Sequence, residues 1–244
     1  MKAIILAGGK GERLRPFTNN CPKGMLKIEA KPILEYQLEW LKKYGVNEVV
    51  FACCHLSHAI QDYFGDGKKF SMKINYSIED EPLGRGGAVK QAWNMIDSKE
   101  AIIVVNGDIY TETDLSKVIA SHNEKRGIIA TITIFPYKSP YGIVRIEEEK
   151  NGLIESFEEK RTLPYWVNGG IYVFEHEVKQ YLPDKGDHEN TTFPLLAEKK
   201  LLYGYKCLDY WKGIDTIKDL NEFAADKRNN ISLLRTVAQT INSI

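Results

Sequence analysis

The chain has 244 residues, 43% of them hydrophobic, enough for one sizeable α/β core and too few for two full domains with linkers. A single domain over 1–244 is expected, about 1–128 forming one half and about 129–244 the other. Lysine plus arginine and aspartate plus glutamate balance at 33 each, so no global field draws the protein to nucleic acid or to an anionic membrane.

The predicted elements begin with a strand at Ala3 to Leu6. Apolar residues at Ile33, Leu34, Leu38 and Leu41 have helical spacing and predict a helix over Lys31 to Lys43, stopped by Gly45 before a strand at Glu48 to Cys53. A helix at Ser57 to Phe64 and a strand at Met72 to Ser77 continue the pattern. A Gly-rich turn then opens a helix at Gly87 to Met95, and the strand Ala101 to Val105 follows. Such alternation points to parallel strands joined by crossover helices. After about residue 128, Ile129 to Phe135, Ile143 to Glu147, Leu153 to Phe157 and Trp166 to Phe174 read as strands, with Asn151-Gly152 as a turn between two of them. A last helical stretch is expected from about Asp215 to Ile241. The fold class is therefore α/β, a Rossmann-like doubly wound mixed sheet with a strand-rich second half. There is no internal repeat, and with no hexapeptide array no β-helix domain is expected.

Cys21, Cys53, Cys54 and Cys207 lack paired spacing and read as reduced core thiols of an intracellular protein. The apolar run Met1 to Ala7 is short and ends in glycines rather than at a cleavage site, and nowhere do 18 apolar residues run together. A soluble, cytoplasmic chain without a membrane or nucleic-acid partner is expected. Cys54, His55 and His58 include metal-ligand types, but with no fourth ligand and an apolar strand before them they read as structural.

The first strand runs directly into Ala7-Gly8-Gly9-Lys10-Gly11-Glu12-Arg13-Leu14-Arg15-Pro16, and a polar loop then leads to Cys21-Pro22-Lys23. Glycines at a strand end let backbone N–H groups approach a triphosphate without Cβ interference, while Arg13 and Lys23 can neutralise its charge. The loop is not a Walker A motif, because no Gly-Lys-Ser/Thr ends it, and its glycines do not fit the G-x-G-x-x-G spacing of a dinucleotide site. Asp108 follows the strand Ile102 to Val105, at the end where α/β sheets gather ligands, and suits a Mg²⁺ ion held against phosphate oxygens; a turn or helix-capping aspartate is the competing reading.

With Arg13-Leu14 and Pro22-Lys23 added, the glycine loop resembles the signature of the nucleoside-diphosphate-sugar pyrophosphorylases, roughly G-G-x-G-x-R-L followed by P-K. The resemblance recurs in order at Glu79-Asp80-Glu81-Pro82-Leu83-Gly84, Asn106-Gly107-Asp108, Tyr141-Gly142, Phe157-Glu158-Glu159-Lys160 and Val167-Asn168-Gly169-Gly170-Ile171-Tyr172. It implies a glycosyltransferase-A-like nucleotidyltransferase fold with a nucleotide-binding first half and a sugar-binding second half. The implied reaction joins a nucleoside triphosphate to a sugar 1-phosphate with Mg²⁺, releasing pyrophosphate, and the implied assembly is the homodimer common in that family. Carried onto this chain, the resemblance assigns catalysis to Arg13 and Lys23. Nucleotide binding falls to Leu6, Ala7, Gly8, Gly9, Gly11, Arg13, Lys23, Glu79, Pro82, Gly84, Gly87 and Asp108. Gly142, Glu159, Lys160 and Asn168 take the sugar phosphate, and Asp108 and Asp215 the metal.

Asp215 departs from the family pattern. The usual W-x-D-x-G-T is here Trp211-Lys212-Gly213-Ile214-Asp215-Thr216, with Asp and Gly exchanged. A two-residue shift along an extended segment keeps a side chain on the same face, so Asp215 could still reach the metal; capping the following helix is the alternative. For the base, Glu79 favours guanine, whose N1–H and N2–H₂ donors lie on one edge where a carboxylate can accept both. The runs Leu83 to Ala88 and Asn168 to Tyr172 look most like short guanylyltransferases acting on mannose 1-phosphate or D-glycero-D-manno-heptose 1-phosphate. Glucose-1-phosphate uridylyl-, thymidylyl- or cytidylyltransfer, a non-sugar phosphate acceptor, and a non-catalytic nucleotide-sugar sensor are the alternatives.

Overall fold

The computed structural model describes residues 1–147 and 151–228 of the chain. In β1 (Lys2–Leu6), Ala3, Ile4 and Ile5 are fully buried, as a strand covered on both faces requires. The short strands β2 (Lys27–Ile28) and β3 (Lys31–Pro32) then pair antiparallel, and α1 (Ile33–Lys43) starts two residues later than its apolar spacing suggests. Pro32 explains the shift: it is extended, with ψ of 154°, and the residue before a proline is pushed out of the helical region. Gly45 ends α1 at φ +81°, donating to the Lys42 carbonyl while Val46 N–H reaches Leu41.

Five further elements follow as anticipated in kind: β4 (Glu48–Cys53), α2 (Ser57–Phe64), β5 (Lys73–Ile78), and then α3 (Gly84–Trp93) ahead of β6 (Ile102–Asn106). α3 begins three residues before the expected Gly87. The N–H groups of Arg85, Gly86 and Gly87 find acceptors in residues 186–187, which holds the glycine run in helical form. β1 pairs in parallel with β4 and β6, and β4 with β5.

The second part contains β7 (Ile109–Thr111), α4 (Leu115–Asn123), β8 (Ala130–Lys138), β9 (Ile143–Glu147), β10 (Leu153–Glu158), β11 (Thr162–Phe174), α5 (Thr192–Glu198), β12 (Leu202–Lys206), β13 (Trp211–Gly213) and α6 (Ile217–Arg228). One seven-stranded sheet, in the order β12-β8-β11-β6-β1-β4-β5, runs through both halves. β11 is antiparallel to β6 and β8, whereas β12 is parallel to β8, so the sheet is mixed and mostly parallel. β9 and β10 form a separate antiparallel ribbon. β2, β3, β7, α4, α5, β12 and β13 are not among the expected elements, and the expected helix to Ile241 lies outside the described residues past 228.

Apolar side chains pack on both faces of the sheet: Leu34, Leu38, Phe51 and Phe64 on one, and Val89, Trp93, Phe174 and Leu196 on the other. A third cluster of Leu14, Ile33, Tyr110, Ile214 and Phe223 fastens the first loop to α6. All four cysteines are free thiols, but only Cys53 and Cys207 are core residues; Cys21 and Cys54 are partly exposed, Cys54 because it falls one residue past β4. Among the described residues no helix is long and apolar enough to cross a membrane.

Candidate active site

The carboxyl ends of β1 and β6 open into a cleft of about 250 Å³. Its walls include Leu6, Ala7, Gly8, Gly9 and Lys23 from the first segment, Glu79, Pro82 and Gly84 from the loop after β5, and Asp108 from the end of β6. Gly107 must be glycine, because a Cβ there would collide with the Leu6 carbonyl, which accepts its N–H at 2.9 Å. Gly9 is different: a Cβ on it would meet no protein atom within 4 Å. Packing gives no reason for glycine at position 9, whereas a ligand approaching the backbone does.

Gly11 does not line the cleft. It adopts φ +62°, its carbonyl accepts the Thr18 hydroxyl at 2.8 Å, and a Cβ there would press on Thr18 and Lys23. The turn thus sets the position of Lys23. The Lys23 side chain is only 12% exposed, and its ammonium donates to Asp108 Oδ2 at 2.8 Å and to Asp215 Oδ1 at 2.6 Å. Arg13, 70% exposed, lies outside the cleft wall and donates to the same Asp215 oxygen at 2.8 Å. Four charged residues from three distant segments therefore meet at one point.

Asp215 reaches this point because Ile214 N–H donates to the Asp108 carbonyl at 2.8 Å and the Ile214 side chain is fully buried. Helix capping falls to its neighbour. Asp219 Oδ2 accepts from Thr216 N–H at 2.8 Å and from the Thr216 hydroxyl at 2.7 Å, while that hydroxyl accepts from Asp219 N–H at 3.2 Å. This reciprocal capping box serves α6 and leaves the Asp215 carboxylate to Lys23 and Arg13.

Glu79 is buried beside the glycine loop, its Oε2 accepting Leu83 N–H at 2.8 Å, and burial raises its pKa above the ordinary carboxylate value. A Cβ on Gly8 would lie 3.2 Å from Glu79 Oε1, so that oxygen faces the same wall as the strand-end loop. Gly84 lines the cleft, but Gly87 does not: its missing side chain makes room for the Asp184 carbonyl. Gly24, Arg85, Ala88, Asn106, Gly107 and Asp187 also line the cleft, although the motifs that contain some of them assign none to the site. Asn106 and Gly107 were detectable, since they precede Asp108 at a strand end; nothing local marks Asp187.

The residues expected to take the sugar phosphate occupy other ground. Gly142 and Glu159 lie together at the root of the β9–β10 ribbon, where a Cβ on Gly142 would meet Phe157 and come 3.0 Å from Glu159 Oε2. Lys160, at φ +52°, follows on the surface. Asn168 is exposed and tied to its own strand: its Oδ1 accepts Gly170 N–H, and its Nδ2 donates to the Tyr172 hydroxyl at 2.9 Å, where the pairing of β11 with β8 shifts register. Gly170 in turn packs against Asn106 of the cleft.

Two carboxylates beside one ammonium supply hard oxygen donors of the kind Mg²⁺ prefers. Among the described residues no group of three His, Cys, Asp or Glu side chains is placed to hold a metal by itself, so substrate phosphate oxygens would have to complete such a shell. The residues fit a metal shared with phosphate, not a metal caged by protein.

A cleft at the carboxyl ends of parallel strands, walled by glycine backbone and a lysine between two aspartates, is the site of an α/β phosphate-handling protein. The nucleotidyl transferase family pattern matches residues 2–230, and the chain belongs to that family. It is 40% identical over 179 residues to D-glycero-alpha-D-manno-heptose 1-phosphate guanylyltransferase of Campylobacter jejuni, covering 73% of this chain and 77% of that protein. It is 35% identical over 240 residues to UTP–glucose-1-phosphate uridylyltransferase of Synechocystis, covering 90% of this chain; the chain spans only 61% of that relative's length. Among solved structures, HddC from Yersinia pseudotuberculosis complexed with GMP-PN superposes with a TM-score of 0.72 at 28% identity, covering 93% of this chain and 99% of that one.

Proposed function

We propose that the chain is a sugar-1-phosphate nucleotidyltransferase that joins a nucleoside triphosphate to a sugar 1-phosphate and releases pyrophosphate. The observation that carries this reading is the Lys23 ammonium, held between Asp108 and Asp215 in a wall that also presents the backbone of Gly8 and Gly9. An oxygen of the sugar phosphate attacks the α-phosphorus in line, and the bond to the pyrophosphate oxygen breaks on the opposite side. The nucleophile is already anionic and needs no general base. The protein has to hold two polyanions together and stabilise the charge that spreads in the transition state. Lys23, Arg13 and the backbone N–H groups of the glycine loop do this from the triphosphate side. Asp108 and Asp215 would hold Mg²⁺, which neutralises phosphate charge when bound.

GTP is the favoured nucleotide. The buried Glu79 carboxylate gives one acceptor site of Oε2 to Leu83 N–H, which leaves Oε1 and the second lone pair of Oε2 for the paired donors of guanine, and the Campylobacter relative bears a guanylyltransferase name. A manno-configured acceptor, mannose or D-glycero-D-manno-heptose 1-phosphate, belongs with that choice. The Synechocystis relative favours a second reading, UTP with glucose 1-phosphate. A cytoplasmic homodimer completes the proposal.

Pyrophosphate release is the test, measured with Mg²⁺, each of five nucleoside triphosphates and a panel of sugar 1-phosphates. Release mainly with GTP and a manno sugar, moved towards other bases by Glu79→Gln, is the expected result. Turnover with UTP and glucose 1-phosphate would replace the substrates and keep the reaction; nucleotide binding without turnover on any pair would overturn the reaction.

A further inference from the structure

Gly84, Gly86 and Gly87 stand where the base-side loop enters α3, and contact with a ligand does not account for all three. A Cβ on Gly84 would lie 2.7 Å from the Gly186 carbonyl carbon, one on Gly86 2.8 Å from the Pro183 ring, and one on Gly87 2.5 Å from the Asp184 carbonyl oxygen. None of these distances is tolerable to a side chain. The glycines admit residues 183–187, a segment from the second half of the chain.

That segment satisfies the start of α3. Gly86 and Gly87 N–H both donate to the Gly186 carbonyl, at 2.9 and 3.3 Å, and Arg85 N–H donates to Asp187 Oδ1 at 2.9 Å. The same oxygen accepts from Arg85 Nε at 3.3 Å, and Arg85 Nη1 lies 2.9 Å from Glu189 Oε1. The Asp187 carboxyl is held below its usual range, first by the Arg85 N–H and then by the guanidinium. A helix N-terminus that would otherwise offer free N–H groups to a phosphate is thus already filled by protein.

Leu83 carries the arrangement to the base pocket. Its N–H donates to Glu79 Oε2 at 2.8 Å, and its carbonyl accepts Gly186 N–H at 2.7 Å. One residue thereby ties the carboxylate proposed to read the base to the segment clamped on α3. Lys90 with Asp184 and Lys185 with Glu81 flank the contact at 2.7 and 3.0 Å. From this geometry we infer that Asp187 is a positioning residue of the nucleotide pocket: by capping α3 and pinning Arg85, it lets the second half of the chain set where Glu79 and Gly84 stand.

The inference rests on the cleft being the nucleotide site, and its test separates the two. Asp187→Ala removes the cap and the ion pair; Asp187→Asn keeps an acceptor oxygen for Arg85 N–H and loses only the charge. In the full chain, Asp187→Ala should speed amide exchange at residues 83–87 about tenfold and raise KM for the nucleotide about tenfold. Turnover number and KM for the sugar phosphate should stay within about twofold, and Asp187→Asn should restore most of the nucleotide KM. Unchanged exchange with unchanged nucleotide KM overturns the inference, and so does a parallel change in the turnover number and both KM values, which marks a general structural loss. Should the unaltered protein turn over no substrate pair, the proposed function falls while exchange and direct nucleotide binding still decide the role of Asp187.

Discussion

Lys23 and Glu159 are both charged residues of the proposed site, and the structure holds them by different means. Lys23 is 12% exposed, fixed by carboxylates 85 and 192 residues away in sequence, and set against a glycine turn with its own side-chain lock. Glu159 stands at the root of a two-stranded ribbon outside the main sheet, and the ribbon exposes Val144, Ile146, Leu153, Ile154 and Phe157. Parallel strands buried on both faces give the proposed phosphate-transfer groups a rigid floor. The ribbon gives the proposed acceptor side reach without a comparable framework. Changes at the Lys23–Asp108–Asp215 cluster should therefore act on turnover, and changes on the ribbon on acceptor affinity.

The strongest challenge to that contrast is Lys23→Ala. Loss of a preorganised cation at the transferring phosphate should lower kcat about 10²- to 10³-fold. Stability should change by about 1 kcal/mol or less, because Asp108 and Asp215 retain access to solvent at 39% and 41% exposure. Steady-state kinetics beside thermal unfolding checks both; near-normal turnover would mean that the lysine only neutralises its two aspartates. A smaller effect belongs to the ribbon. Glu159→Gln should raise KM for the sugar phosphate about tenfold and leave KM for the nucleotide unaltered, as expected for one lost charge-assisted hydrogen bond. A fall in kcat without a change in that KM would place Glu159 in the transfer step and erase the difference between the two regions.

The same contrast explains what could be read from the sequence. α1 and α2 were visible because Ile33, Leu34, Leu38 and Leu41, or Ile60 and Phe64, repeat at helical spacing against a buried sheet. The order of the parallel strands was implied by their alternation with helices. α4 carries a usable signal that the reading missed, Asp114 capping Ser116 N–H ahead of Leu115 and Val118. α5 has only seven residues and includes Pro194, and β13 has three, too short for a period to emerge. At the site, the glycine loop, Lys23 and Asp108 declared themselves because strand ends and glycine runs are local features. Asp187 did not, since its partner Arg85 is 102 residues away, and neither did the Asp184 carbonyl for which Gly87 makes room. A glycine in sequence announces close approach, but not what approaches.

Asp215 tests where local reading ends and long-range structure begins. As an aspartate ahead of a helix, it has the residue type and place of an N-cap. The cap is one residue later, at Thr216, because Ile214 is buried and its N–H is committed to the Asp108 carbonyl, which fixes the chain direction before the helix starts. Thr216→Ala removes the hydroxyl that donates to Asp219 and accepts its N–H, so α6 should lose about 1 kcal/mol, read as a lower midpoint in urea with an unchanged slope. Turnover should fall only about two- to threefold, because β13 pairing and Ile214 still aim Asp215 at Lys23. A loss of turnover as large as that of Lys23→Ala would instead make the cap, and not the sheet, the element that aims the carboxylate, and the cleft would then depend on local turn chemistry as much as the ribbon does.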